Sequence, residues 1–156
     1  PTHGDALLGT AVVAEESLVA DDEPQPGRSA AFRKKVLEIY AHKCTACGLQ
    51  VRIGNPPLSL VDAAHLLPFA SSHNDHPTNG LALCKNHHWA MDRSFIAPTP
   101  DGVWRASAQL IPHRSSGGEE LVELDGRRMI PPRDDAYRPS QEGLSFRYEA
   151  MLAAQG

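Results

Sequence analysis

Three cysteines and one histidine in this chain have the spacing of metal ligands. Cys44 and Cys47 form the pair CTAC, and Cys84 and His87 form the pair CKNH, with 36 residues between Cys47 and Cys84. Zinc prefers four tetrahedral sulfur or nitrogen ligands, and two short knuckles brought together supply them. Alternatively, the cysteines are small buried apolar side chains and His87 is a surface histidine. The odd cysteine count and the paired spacing favour a closed structural Zn²⁺ site over disulfides.

A second histidine, His88, directly follows His87. Because the stretch KNHHWAMDRS has helical character and helical neighbours are about 100° apart, the two rings must point in different directions. If His87 completes the zinc site, His88 faces a separate cleft. The apolar stretch LSLVDAAHLLP predicts a buried strand ending at His65, and a polar turn follows with Asn79 before Gly80. His65 and Asn79 are therefore the nearest candidates to meet His88.

The segments DAAHLLPF, HPTNGLALC and CKNHHWAMDRSF together resemble the HNH endonuclease motif over about residues 32–96. His65, Asn79 and His88 follow the order of that motif, with separations of 14 and 9 residues, interleaved with the zinc-ligand pairs. The resemblance is greatest to the McrA-like modification-dependent restriction endonucleases. It implies an α+β fold with a ββα-metal (His-Me finger) core clamped by a structural zinc ribbon. It also implies metal-dependent hydrolysis of phosphodiester bonds in DNA.

The resemblance implies a role for each residue of the motif. His65 would be the general base, since an unperturbed imidazole titrates near pH ~6.5 and is available in its neutral form. A catalytic divalent cation (Mg²⁺, Mn²⁺, Co²⁺ or Ni²⁺) would neutralise the charge that develops on the phosphate. Asn79 would either orient His65 or ligate this cation. His88 would be a metal ligand or a phosphate contact.

The chain departs from the HNH pattern at one position. Many HNH enzymes carry a metal-binding Asp directly before the base histidine, where this chain has Ala64. Asp62 lies three residues before His65 and is expected to face away from it on a strand. Either the cation is held mainly by Asn79, His88, phosphate and water, or a bend brings Asp62 to it. A site with few carboxylates is expected to favour Mn²⁺, Co²⁺ or Ni²⁺ over Mg²⁺.

The elements that must position these residues can be predicted from apolar spacing and turn signals. A helix is expected from Ser29 through His42, followed by the strand ending at His65, a short strand at LALC and the helix that carries His88. After Ile96, the stretches TPDGVW and LDGRRM predict C-terminal hairpins, and residues 140–154 predict a helix. The remaining expectations concern four side chains: Asp92 and Arg93 as a structural pair, and Trp89 and Phe95 as core residues.

The charge distribution divides the chain into two regions. Residues 1–27 contain six acids and no Lys or Arg, whereas residues 28–52 contain six bases and one acid, although the whole chain has a formal charge of -4. We expect residues 1–27 to be an acidic linker or N-terminal extension and residues 28–156 to be the nuclease domain. The basic block is either a solvated helix face or a phosphate-binding surface. The candidate phosphate contacts are Arg33, Lys34, Lys35, Arg52 and Arg93.

The cellular context is predicted from what the chain begins with and what it lacks. No apolar run or signal peptide indicates a membrane or export, so a cytoplasmic protein is expected. The first residue is Pro1, which suggests that DNA-reading domains precede this segment in a longer chain. A double-strand break would favour a homodimer. The competing function is a catalytically inactive, zinc-stabilised DNA-binding or assembly module.

The assignment of adjacent histidines to two sites makes a testable prediction. His87→Ala should release zinc or unfold the domain, because it removes one of four structural ligands. His88→Ala should leave a folded, zinc-loaded protein that no longer cuts DNA. Metal content, circular dichroism and plasmid nicking measured on both variants check this, and identical behaviour of the two variants would contradict it.

Overall fold

The structure is a computed structural model that describes residues 28–155, so the linker expected over residues 1–27 lies outside the described residues. The helices are α1 (Arg28–Ile39), α2 (Phe69–Ser72), α3 (Lys85–Asp92), α4 (Glu119–Val122) and α5 (Gln141–Gln155). The strands are β1 (Arg52–Ile53), β2 (Leu58–Ser59), β3 (Val61–His65), β4 (Gly80–Cys84), β5 (Ile96–Pro98) and β6 (Trp104–Ala106), paired antiparallel as β1-β2, β3-β4 and β5-β6. Short 3₁₀ segments cover Pro77–Asn79, Ala108–Ser116 and Asp135–Tyr137. None of the helices in residues 28–155 is long and apolar enough to cross a membrane.

Helix α1 buries one apolar face but ends earlier than its sequence predicts. It ends at Ile39 rather than His42, because Ala41 and His42 adopt positive φ angles of 53° and 58°. The amide of His42 donates to the carbonyl oxygen of Leu37 at 2.8 Å, which closes the helix end. The predicted apolar stripe is buried as expected and consists of Phe32, Val36, Ile39 and Tyr40.

The β3-β4 hairpin followed by α3 forms the centre of the fold, in the strand, strand, helix order that the sequence predicts. Its register pairs Val61 with Cys84 at one end and His65 with Gly80 at the other. Because side chains alternate along a strand, His65 lies on one face of β3 and Asp62 on the other. Helix α1 packs on the His65 face, where Phe32 stacks on the His65 ring at 4.1 Å. Helix α3 packs on the Asp62 face.

Gly80 has a different role from the turn role that the sequence predicts. Asn79 ends the 3₁₀ segment, and Gly80 begins β4 with an extended φ of -126°. A Cβ atom at Gly80 would lie 2.6 Å from Val36 Cγ2 and 2.8 Å from Phe32 Cζ. The absent side chain therefore lets α1 approach the hairpin closely.

The region after Ile96 contains one of the two predicted hairpins. The stretch TPDGVW joins β5 to β6 as expected. The stretch LDGRRM forms no hairpin of its own, because the residues before it form the helix α4, and it pairs with the β6 region instead, through the bridge between Val103 and Arg128 and hydrogen bonds between the backbones of Trp104, Gly126 and Arg127. The expectation of C-terminal hairpins in the plural is therefore wrong. The predicted last helix is present as α5.

The close approach of α1 makes Gly80→Ala destabilising. The added methyl group would overlap Val36 and Phe32, and overpacking of this kind costs about 1–3 kcal/mol. Chemical denaturation of Gly80→Ala, Val36→Ala and the double variant measures the coupling between the two positions. We expect the double variant to lose less stability than the sum of the single variants, and strict additivity would argue against the contact.

Candidate active site

Three cysteines and His87 form a compact cluster at the end of the hairpin. Their ligand atoms all lie within 4.8 Å of one another. Cys47 Sγ lies 3.9 Å from Cys84 Sγ, and His87 Nδ1 lies 3.0 Å from Cys84 Sγ and 3.9 Å from Cys44 Sγ. Tetrahedral ligands with Zn–S bonds of about 2.3 Å are roughly 3.8 Å apart. The structure thus brings together the four residues predicted from spacing, in an arrangement that fits Zn²⁺.

The electrostatics of the thiols also fit a bound cation. The hydrogen bond from Cys84 outweighs burial and lowers the pKa of the Cys44 thiol to about 3, with His87 contributing. The same hydrogen bond to Cys44, together with burial, raises the pKa of Cys84 far above its usual range. One buried thiolate therefore opposes a second. A divalent cation removes this conflict, since thiolates are the form of cysteine that binds metal.

His88 lies on α3 between two carboxylates. Its Nδ1 is 3.1 Å from Asp62 Oδ2, and its Nε2 is 3.1 Å from Asp92 Oδ2. Because carboxylates only accept hydrogen bonds, a ring that donates to both carries a proton on each nitrogen. The adjacent His87 and His88 therefore contact different groups.

Asp62 reaches His88 without the bend that the sequence argument required. Strand β3 pairs regularly with β4 through Asp62, and Asp62 lies on the same face as Ala64, about 7 Å along the strand. Asp62 lies on the face of β3 opposite His65, and this is the face on which α3 packs. Burial opposes ionisation of Asp62, but hydrogen bonds from His88 and Lys85 outweigh it and lower the pKa of the Asp62 carboxyl. Of the two alternatives that the sequence left open, the geometry favours the one in which Asp62 comes close to His88.

His65 is buried and has an acidic partner that the sequence did not reveal. Its Nε2 lies 2.9 Å from Asp75 Oδ1, and its ring is 4° from parallel with that of Phe32. Asp75 follows His65 by ten residues in the polar loop SSHNDHPTNG. Nothing in the local spacing indicates that this loop folds back onto the strand end.

The side chain of Asn79 is fully buried, and its three hydrogen bonds all go to backbone groups. Its Oδ1 accepts from Leu67 N at 2.9 Å, and its Nδ2 donates to Leu67 O at 3.0 Å and to Asn74 O at 2.9 Å. None of these bonds reaches the ring of His65 or His88. Asn79 instead holds the loop between His65 and Asp75 in place, because it binds the backbone near both ends of that loop.

Comparisons with known proteins agree with this geometry. Residues 44–97 match the family model described as HNH endonuclease, and this span contains both predicted histidines, Asn79 and all four cluster residues. The HNH recognition made from the sequence is confirmed. A search of the curated proteins found no match.

A solved structure supports the fold beyond the HNH segment. It is described as "Modification dependent TagI restriction endonuclease" and matches with a TM-score of 0.58 and 21% sequence identity. The match covers 83% of this chain but 40% of that chain, so this chain spans less than half of the length of that protein. At this identity the likeness shows the fold alone.

Arg147 on α5 connects the HNH segment to the C-terminal region, and sequence reasoning missed it. Its Nε donates to Leu66 O and its NH2 donates to His65 O, both at 2.7 Å. The same NH2 lies 3.6 Å from Asp92 Oδ1. Arg147 is buried on one helical face with Leu144 and Met151, and an arginine inside such an apolar stripe is the signal that could have revealed it.

Two expectations about the end of α3 are wrong. Asp92 pairs with His88 and Arg147 rather than with Arg93, because the helix turns Asp92 toward the hairpin. Arg93 instead lies over the ring of Trp89, 4.8 Å from its centroid. Trp89 is 47% exposed and so is not a core residue, although its ring lies 5.7 Å from that of Phe95, which is partly buried.

The candidate phosphate contacts lie in different surroundings. Arg33 is nearest to the HNH site, with NH1 3.6 Å from Asp62 Oδ1. Lys34 is exposed, and Lys35 lies over the ring of Tyr137, 4.7 Å from its centroid. Arg52 lines a cavity at the end of α1.

The contacts of Arg147 predict a large stability loss when its charge is removed. Arg147→Met would leave the carbonyl groups of His65 and Leu66 without their charged donor and should cost about 2–4 kcal/mol. The matched control is Arg138→Met, which removes an exposed ion pair with Asp135 and should cost less than about 1 kcal/mol. Urea denaturation compares the two, and equal losses would show that Arg147 does not support the site.

Proposed function

We propose that this chain is the catalytic part of a metal-dependent DNA endonuclease that hydrolyses phosphodiester bonds. The observation that carries the proposal is the row Asp62–His88–Asp92 on one face of the hairpin, with the His65–Asp75 pair at the end of the same strand. The Asp62–His88–Asp92 row supplies candidate metal ligands, and the His65–Asp75 pair supplies a candidate general base. Phosphodiester hydrolysis requires both a cation for the developing charge and a group that deprotonates water.

We assign the catalytic cation to Asp62 and His88. Adjacent ligands of an octahedral ion with bonds of about 2.0–2.1 Å lie about 3 Å apart, and Asp62 Oδ2 lies 3.1 Å from His88 Nδ1. Asp92 would then hold the proton on His88 Nε2, as carboxylates commonly do for metal-binding histidines. When bound, the cation neutralises charge on the phosphate and on the leaving oxygen. Asp62 thus replaces Asn79 in the ligand set that the sequence suggested.

We assign the general base to His65. In a neutral His65 that donates Nε2–H to Asp75, Nδ1 is the ring nitrogen that would take the proton from water. Asp75 then stabilises the imidazolium that forms, as a carboxylate does in other histidine dyads. The role of Asn79 is to position this pair, through the loop that it fastens at Leu67 and Asn74.

The ligand set also determines which cations should support cleavage. One imidazole and one carboxylate suit Mn²⁺, which accepts both kinds of ligand, and they admit Mg²⁺ as well. Co²⁺ and Ni²⁺ remain candidates through the imidazole of His88. The structural Zn²⁺ belongs to the separate Cys44, Cys47, Cys84 and His87 cluster.

The cellular assignment follows the structural neighbour, whose description names it a modification-dependent restriction endonuclease. We propose that residues 28–156 are the cutting domain and residues 1–27 an acidic linker from DNA-reading domains of a longer, cytoplasmic restriction enzyme. Two copies, each with one active site, would make a double-strand break as a homodimer.

Plasmid nicking with zinc-loaded protein tests the nuclease proposal. Native protein is incubated with supercoiled plasmid and Mg²⁺, Mn²⁺, Co²⁺ or Ni²⁺ in turn, beside His65→Ala, Asp62→Asn and the exposed control Asp101→Asn. We expect the control to cut like native protein and His65→Ala to cut about 10²–10⁴-fold more slowly. DNA binding without nicking under any of these ions would overturn the proposal in favour of an inactive binding module.

The dependence on cation concentration separates the two assigned roles. Asp62→Asn weakens cation binding, so raising Mn²⁺ should recover part of its activity. His65→Ala lacks the base, so no concentration of Mn²⁺ should recover it. If Mn²⁺ rescues neither variant, Asp62 is not a ligand of the catalytic cation.

A further inference from the structure

A cavity of about 450 Å³ lies at the C-terminal end of α1, beside the CTAC knuckle. Its walls come from three separate parts of the chain, which are the end of α1, the segment around β1 and the segment that precedes the last 3₁₀ turn. The lining residues are Glu38, Ala41, His42, Gln50, Arg52 and Arg133. Neither the zinc cluster nor the His65 and His88 contacts account for this cavity.

The cavity carries more positive than negative charge. Arg52 and Arg133 are permanently charged, and Glu38 is the acid that opposes them. Arg133 NH2 donates to the backbone oxygen of Glu38 at 2.7 Å, which holds the guanidinium at the cavity wall. Burial, followed by the charges of Arg52, Arg33 and Arg133, lowers the pKa of His42. The electrostatic potential inside the cavity is therefore positive.

His42, which lines the cavity, has a ring nitrogen without a hydrogen-bond partner. Its Nδ1 is buried and makes no hydrogen bond to any group in the part of the chain that the structure describes. His42 and Ala41 also hold positive φ angles, which non-glycine residues seldom adopt. Buried polar atoms normally have a hydrogen-bond partner, and backbone strain of this kind occurs preferentially at active sites and ligand sites.

We infer that this cavity binds a backbone phosphate of DNA, away from the phosphate that is cut. The inference rests on the proposed nuclease function. Arg33 connects the two places, because its NH1 lies 3.6 Å from Asp62 Oδ1 and its charge also acts on His42. From Arg33 to Ile39, where α1 ends, the helix advances by about 9 Å at 1.5 Å per residue. Two to three nucleotides of one B-DNA strand cover roughly that distance.

We assign the contact to phosphate, because forked guanidinium groups match phosphate oxygens in geometry and charge. A phosphate contact adds affinity equally for all sequences and makes it depend on salt. Arg52 and Arg133 would therefore hold and orient the duplex while the cation site cuts it.

Fluorescence anisotropy with a labelled duplex tests the inference in zinc-loaded His65→Ala protein, which leaves the DNA intact. Kd is measured at several salt concentrations for Arg52→Gln, Arg133→Gln and the control Arg105→Gln, an exposed arginine paired with Asp125. We expect each cavity variant to weaken binding about threefold to tenfold and to reduce the slope of log K against log salt by about 0.9. Arg105→Gln should change both Kd and the salt slope less than either cavity variant does.

Glu38→Gln provides a test in the opposite direction. Removing the acid from the cavity should tighten binding about twofold to fivefold and leave the variant folded, since Glu38 is exposed. If the arginine variants bind like Arg105→Gln and Glu38→Gln does not tighten binding, the cavity is not a DNA phosphate site.

Inorganic phosphate distinguishes DNA from a free phosphate ligand. Its binding is followed by NMR at the Arg52 and Arg133 side-chain Nε–H groups of native protein. If phosphate saturates these groups while the arginine variants bind DNA normally, the ligand is a free phosphate and the DNA inference is overturned. Phosphate shifts together with weakened DNA binding support it.

The outcomes also separate this inference from the nuclease proposal. If native protein never nicks plasmid but the arginine variants lose DNA affinity, the phosphate site stands and the enzyme proposal fails. If native protein cuts and the arginine variants bind DNA normally, the enzyme proposal stands and the phosphate site fails. Absence of DNA binding by the native chain overturns the phosphate site.

Discussion

The antiparallel register of β3 and β4 determines where each candidate site residue lies. It places His65 opposite Gly80 and Asp62 opposite Leu83, so the candidate base and the candidate metal ligand emerge on different faces of one strand. A slip of one residue would exchange the faces and carry Asp62 away from α3. The close packing of α1 over Gly80 opposes such a slip, because only glycine leaves room for Phe32 and Val36.

The C-terminal region stabilises both ends of this hairpin. At the end with the cysteine and His87 cluster, the backbone oxygen of Thr45 accepts hydrogen bonds from the Trp104 indole and from the Ile130 amide, while the Thr45 amide donates to the Ala82 carbonyl oxygen in β4. At the other end, Arg147 holds the carbonyl groups of His65 and Leu66. The HNH segment thus depends on residues that lie far beyond it in sequence.

Local spacing predicted the parts of the site whose residues are close in sequence. Cys44 with Cys47 and Cys84 with His87 are such pairs, as are the hairpin and α3. Local spacing could not predict partners brought together by the tertiary fold. Asp75 reaches His65 through a loop whose backbone Asn79 binds at Leu67 and Asn74, and Arg147 reaches the strand end from α5. The prediction for Asp62 was incomplete for a different reason. The alternation of side chains along β3 correctly placed Asp62 on the face opposite His65, but the sequence did not show that α3 packs on that face.

Anomalous diffraction from zinc-loaded crystals soaked in Mn²⁺ tests most directly whether Asp62 and His88 share the catalytic cation. Data collected at the zinc and manganese edges distinguish the two ions. If they do, zinc lies within the Cys44, Cys47, Cys84 and His87 cluster and manganese lies between Asp62 and His88 Nδ1. Manganese bound at Asn79, or no manganese at His88, would contradict this assignment.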